Sequence, residues 1–282
     1  MTTDALSQPA IQDTMNHTQE ERLGQYTLWQ ILGIWALAAI PMGILGWVVF
    51  PALSPDFNSD PLGAGVIRLV LLTAGLIWQF VLTLIIVRKE EGDLRWATIK
   101  RRLRLNRPQD PTTGKTHRRL WLWVIPFLLA SIVYDLALTP SIDKLWVSIF
   151  PFFAEPQSFN FGLIFQSHEI LNQLAGAWWF FGLFVVMSVF NTILGEEFLF
   201  RGVLLPKMEG VFGRWSWVAN GVLFGLYHVH QPWGILQNVI SGPLVLAFPS
   251  WRFRSTWMAV IVHSAQSVFF GFLILALVLG LS

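Results

Sequence analysis

Three ionisable side chains stand together in an otherwise apolar stretch: Glu196, Glu197 and Arg201 of Gly195-Glu196-Glu197-Phe198-Leu199-Phe200-Arg201. The apolar run around them, 177–205, is long enough to cross a bilayer, because about 20 apolar residues span the hydrocarbon core. A charge at the centre of such a helix costs about 2.5–3.5 kcal/mol on insertion scales. A chain that keeps three at one level is expected to use them. Glu197 and Arg201 stand at i and i+4, the favourable order for a helical ion pair. Glu196 is turned about 100° away and has no partner on its own helix. A histidine from another helix could share its proton, and a carboxylate beside an imidazole is the arrangement that activates water by general-base catalysis. The same residues could instead form an interhelical polar clamp.

Two other apolar stretches supply histidines. His228 follows Phe224 by four residues, and His263 lies in Val262-His263-Ser264-Ala265-Gln266-Ser267. The ring N–H of His263 could donate to a developing oxyanion, with Ser267 one turn further on the same face. His230 is two residues beyond His228 and is expected to face largely away.

The elements that must position these residues are membrane helices. Of 282 residues, 54% are hydrophobic and 13% charged, against about 25% charged in soluble chains. The fold class read from this is all-α, a polytopic transmembrane bundle of about seven spans, with six to eight admissible. The spans lie near 26–50, 65–87, 120–138, 177–205, 215–229, 234–248 and 256–281. The fifth and sixth are short, as expected of tilted, re-entrant or protein-shielded segments. Residues 1–25 read as a polar tail without the features of a signal peptide. Residues 26–119 read as two helices and a basic loop, and 120–282 as the core that carries the motifs between 195 and 267.

The loop 88–119 holds eleven Lys and Arg against four acids, while 51–64 holds Asp56 and Asp60 and no base. The positive-inside rule then makes 88–119 cytoplasmic. Alternation brings Lys207, Arg214, Arg252 and Arg254 to the same side, with Trp121, Trp123, Trp215, Trp217, Trp251 and Trp257 beside them as an aromatic belt. On that topology Glu196 lies ~15 Å, His228 ~20 Å and His263 ~10 Å from the cytoplasmic surface at 1.5 Å per residue. The three are expected to meet in a membrane-embedded polar cavity open toward the cytoplasm. Arg68 is expected to snorkel to the outer interface, and Asp135 to be interfacial.

Several chemistries are excluded. With no cysteine there is no disulfide, thiolate nucleophile or Cys-based zinc site. The pair His168-Glu169 has Asn172 where a zinc protease needs its second His. No Gly-x-Ser-x-Gly setting, second membrane aspartate motif or phosphate loop occurs. A net charge of only +2 gives no field for nucleic acid.

Glu196-Glu197-x-x-x-Arg201, then Phe224-x-x-x-His228, then His263 in a last helix introduced by Arg254-Ser255-Thr256-Trp257 resembles the CAAX prenyl protease and bacteriocin-processing (Abi) family of intramembrane proteases. The resemblance covers roughly 177–270. It implies that Glu196 and His228 activate a water for peptide hydrolysis and that His263 helps form the oxyanion site. One position departs from the family pattern. Four residues after the last His the family carries Asn or Asp, and this chain has Ser267. Losing one oxyanion donor costs about 2.7–4 kcal/mol in the transition state, so Gln266 or a water would have to supply the bond.

The expected function is therefore an integral-membrane endopeptidase in a plasma (inner) membrane. Its partners would be the lipid bilayer and a membrane-associated peptide or protein substrate. No cofactor is expected. Two His and one Glu could hold zinc, but Glu196 cannot easily be both ligand and base, so the metal-free mechanism is the expectation. A non-catalytic scaffold or immunity-type protein is the alternative. A proton-coupled transporter using Glu196, His228 and His263 as a relay is a third, without the internal repeats such proteins show.

Overall fold

The computed structural model describes residues 24–160, 162 and 165–281. The tail expected over 1–25 lies outside the described residues as far as residue 23. Among the described residues there are helices and no strand, only an isolated antiparallel bridge between Gln109 and Thr116.

Five helices are long and apolar enough to cross a membrane. They are α1 (Leu28–Leu53), α2 (Pro61–Glu91), α4 (Arg118–Ile149), α6 (Trp178–Lys207) and α9 (Trp257–Val278). Between them lie α3 (Trp96–Arg102), α5 (His168–Leu174), α7 (Ser216–Tyr227) and α8 (235–252). The ends are set by local chemistry. Thr27 and Gln30 form a capping box at the start of α1. Asp60 caps α2 by accepting from the Gly63 N–H at 2.8 Å. Gly92, at φ 81°, ends α2 in the left-handed conformation that glycine adopts without strain.

The fifth and sixth expected spans correspond to α7 and α8. The former has only 12 residues, and the latter carries Pro243 and Pro249 within its run. They pack against each other as a hairpin with almost no side-chain layer between them. A Cβ on Gly221 would come within 2.2 Å of Pro243 N, and one on Gly225 within 2.4 Å of Val239 N. Small residues permit this backbone approach in membrane helices.

Large apolar side chains cover the outside, among them Val48, Leu129, Leu136 and Phe272. The core gathers on the second half of α6. Leu199, Phe200, Val203 and Leu204 pack with Met42 of α1, Tyr227 of α7 and Met258 of α9. Buried with them are Gln79, Thr83, Glu196, Glu197, Arg201 and Asn220. This inside-out distribution is what lipid solvent requires.

The three basic clusters meet at one end of the bundle. Tyr26 N donates to the Lys207 carbonyl at 3.0 Å, Gln109 N to the Phe253 carbonyl at 2.9 Å, and Thr256 N to the Arg104 carbonyl at 3.1 Å. Not every base there faces outward. Arg102 is 1% exposed, bonded to Glu90 at 2.7 Å, to the Gly202 carbonyl at 3.0 Å and to the Val203 carbonyl at 3.2 Å. Lys207, also buried, pairs with Glu90 at 3.0 Å. At the other end Arg68 does not snorkel outward. It is buried, donates to the Phe159 carbonyl and lies against the Phe159 and Trp233 rings, because a tryptophan-rich corner covers it.

Tryptophan has a second use inside the bundle. Trp35 Nε1 donates to the Leu223 carbonyl at 2.7 Å, Trp47 Nε1 to that of Val229 at 2.8 Å, and Trp146 Nε1 to that of Pro232 at 2.8 Å. The Val229 carbonyl lies in the turn after α7, where helical pairing stops, whereas Leu223 lies inside α7 and the Pro232 carbonyl also accepts from the Ile235 N–H. A bare carbonyl in hydrocarbon is costly, and at Val229 the indole of Trp47 removes that cost.

Candidate active site

The two glutamates sit between two π-helical stretches of α6, Phe190–Gly195 and Phe198–Leu204. Such wide turns are rare and recur at functional sites. Gly195 lets this part of α6 press on α2, since a Cβ there would come within 2.8 Å of the Leu76 carbonyl oxygen. The glutamates thereby face α2, α7 and α9 and not lipid.

Glu197 and Arg201 form the ion pair that their spacing implies, with Arg201 Nε 3.3 Å from Glu197 Oε2 and both side chains fully buried. The pair is not aligned as a hydrogen bond, and Arg201 NH1 and NH2 have no hydrogen-bond partner. The guanidinium carbon lies 4.0 Å from the centre of the Phe224 ring, a cation–π contact that offsets part of the desolvation.

His263 reaches both carboxylates. Its Nδ1 is 2.9 Å from Glu197 Oε1, and its Nε2 is 3.9 Å from Glu196 Oε2. The first is a hydrogen bond and the second is too long to be one. With Nδ1 donating to Glu197, Nε2 carries a proton only in the imidazolium. Thr192 and Ser264 share a 2.9 Å hydrogen bond between α6 and α9, next to His263 in sequence. Ser267 is half-buried one turn beyond His263, and among the described residues it makes no hydrogen bond to the cluster.

His228 lies just past the last residue of α7. Its Nδ1 is 2.9 Å from the Phe224 carbonyl. A carbonyl only accepts, so Nδ1 holds the proton and Nε2 keeps its lone pair. The ring packs edge-on against Phe224 at 5.0 Å, and Phe224 also packs edge-on against His263 at 6.1 Å. His228 is thus joined to His263 through Phe224. Among the described residues no direct bond runs from it to Glu196. His230 does not face away. It is buried and stacks on His228 with ring centres 5.6 Å apart.

Two residues of the cluster were not legible as site residues. Tyr227, fully buried, accepts a 2.7 Å hydrogen bond from Gln79 Nε2 on α2. Gln79 was visible as a lone amide inside an apolar span, but nothing in the sequence named its partner. Asp135, expected at the interface, is half-buried in a π-helical turn of α4.

Residues 177–269 match the family model described as Type II CAAX prenyl endopeptidase Rce1-like. The matched stretch runs from the start of α6 into α9. It contains Glu196, Glu197, Arg201, His228, His263 and Ser267, and it bears out the resemblance seen in the motifs. No curated protein and no solved structure matches the chain.

Proposed function

We propose that this integral membrane protein, whose 177–269 segment is similar to a family of CAAX prenyl endopeptidases, hydrolyses a peptide bond within the membrane with Glu196 as general base. The observation that carries the reading is the position of His263, 2.9 Å from Glu197 and 3.9 Å from Glu196. One imidazole is anchored to a structural carboxylate and turned toward a second carboxylate, while the one guanidinium beside them, Arg201, pairs with Glu197.

Each residue then has one task. Glu196 takes a proton from water as it attacks the peptide carbonyl. His228, its Nδ1 held by the Phe224 carbonyl, offers the Nε2 lone pair to orient that water. His263, as imidazolium, donates from Nε2 to the oxyanion while Nδ1 stays on Glu197. Glu197 and Arg201 hold that geometry. Ser267 stands where the family carries an amide and would donate by rotating its hydroxyl. The chemistry needs no metal. No step of the proposed mechanism runs through zinc.

The gathering of 88–119, Lys207 and 252–254 at one end supports a cytoplasmic orientation for that end and access to the site from it. The substrate is a membrane-associated peptide or protein. The test is cleavage of a peptide library by purified protein and by Glu196→Gln. Loss of cleavage with an unchanged elution profile supports the mechanism, and retained cleavage by the variant overturns it. Activity in no condition, with Glu196→Ala costing only thermal stability, would favour a scaffold.

A further inference from the structure

We propose that Thr192 of α6 and Ser264 of α9 are positioning residues, and that the hydrogen bond between them sets the distance from Glu196 to His263. The kinetic part of this rests on the proteolytic reading above, whereas the bond and its effect on the His263 ring do not.

Glu196 and His263 stand on different helices. Among the described residues only two hydrogen bonds run directly from α6 to α9, Glu197 to His263 at 2.9 Å and Thr192 to Ser264 at 2.9 Å. The first alone would let α9 pivot about His263. The second, one residue further along α9, fixes the register. Its direction is also determined. Thr192 is 2% exposed, and its hydroxyl lies 3.0 Å from the Ser188 carbonyl one turn back. A carbonyl only accepts, so the Thr192 proton goes there. The Thr192 oxygen then accepts from Ser264, whose hydroxyl makes no other hydrogen bond among the described residues. Thr192 lies in the π-helical stretch Phe190–Gly195, four residues before Glu196. Its bond to the carbonyl of the preceding turn bends a helix, and its bond to Ser264 ties that bend to α9. The distance matters because Glu196 and His263 are 3.9 Å apart and the reacting water and carbonyl must meet both. A misplacement of about 1 Å costs on the order of 100-fold in rate.

Four variants separate positioning from packing. Ser264→Ala removes only the bond between the helices. Thr192→Val removes it and keeps the shape of the side chain, and Thr192→Ser restores the hydroxyl. Ser264→Ala and Thr192→Val are each expected to lower kcat about 10- to 100-fold, with KM close to wild type. The double variant Thr192→Val/Ser264→Ala falls no further than the slower single, because both singles remove one and the same bond. Thr192→Ser returns most of the rate. Losses that multiply in the double variant, or a lower Tm with kcat unchanged, would overturn the proposal.

An arm without activity reads the ring itself. In protein labelled with ¹⁵N-histidine, the His263 signals are identified by their loss in His263→Asn. They move in Thr192→Val, a change on the other helix, and return in Thr192→Ser if the bond holds the ring in place. Signals unmoved in Thr192→Val refute the proposal. If purified wild type cleaves no peptide, the proteolytic reading fails while the His263 signals still decide the positioning.

Discussion

His263 Nδ1 lies 2.9 Å from Glu197 Oε1, so the carboxylate paired with Arg201 also anchors the imidazole that faces Glu196. One side chain thus serves two functions, and replacing it should affect both.

Glu197→Gln keeps the shape and removes the charge, leaving Arg201 buried without a counter-ion. Breaking one side of a buried pair costs about 3–5 kcal/mol. Thermal unfolding in detergent should show a clear drop in Tm, and the double variant Glu197→Gln/Arg201→Met should recover much of it. A double variant no more stable than the single would mean that the pair is not the source of the loss.

His263→Asn removes the imidazole and leaves α9 intact, since the side chain sits at the edge of the cluster, half-buried. An oxyanion donor contributes about 10²–10³ in kcat. A drop of that order is expected in single-turnover cleavage, with Tm close to wild type. An equal fall in Tm would reassign His263 to structure.

Chelator should leave cleavage unchanged. Peptide turnover with and without 1,10-phenanthroline checks this directly, with activity regained on added zinc as the contrary result.

At the basic end, Arg102 joins four partners on three parts of the chain: Glu90, Tyr26 and the carbonyls of Gly202 and Val203. Arg102→Ala should cost about 3–5 kcal/mol, because Glu90 and Lys207 are then left in a disturbed buried network. Arg102→Lys should rescue little. An ammonium cannot match a planar fork that reaches several acceptors at once.

Much of this arrangement was legible in the sequence because it obeys local rules. The i, i+4 spacing gave the Glu197–Arg201 pair, and the charge asymmetry of the loops gave the common end of the three basic clusters. The long apolar runs gave the five long helices. What escaped depends on partners far away in the chain. Arg102 reads as one more base in a basic loop, and only the approach of α6 shows that it is buried. Tyr227 reads as an aromatic beside a histidine until α2 delivers Gln79. The π-helical stretches on either side of Glu196 leave no mark in composition. The tryptophans misled in part. Several sit at the basic end as expected, but Trp35, Trp47 and Trp146 point inward to carbonyls.

Those three indoles bear on ancestry. They come from α1 and α4, outside the stretch 177–269 that the family model covers, yet they close carbonyls on the hairpin that carries His228. The matched stretch is therefore not a transplantable module. Grafted into another bundle without a donor for the Val229 carbonyl, it would carry a bare carbonyl into oil. Substitution at Trp47 should be tolerated over evolution only where another N–H or O–H arrives to take its place.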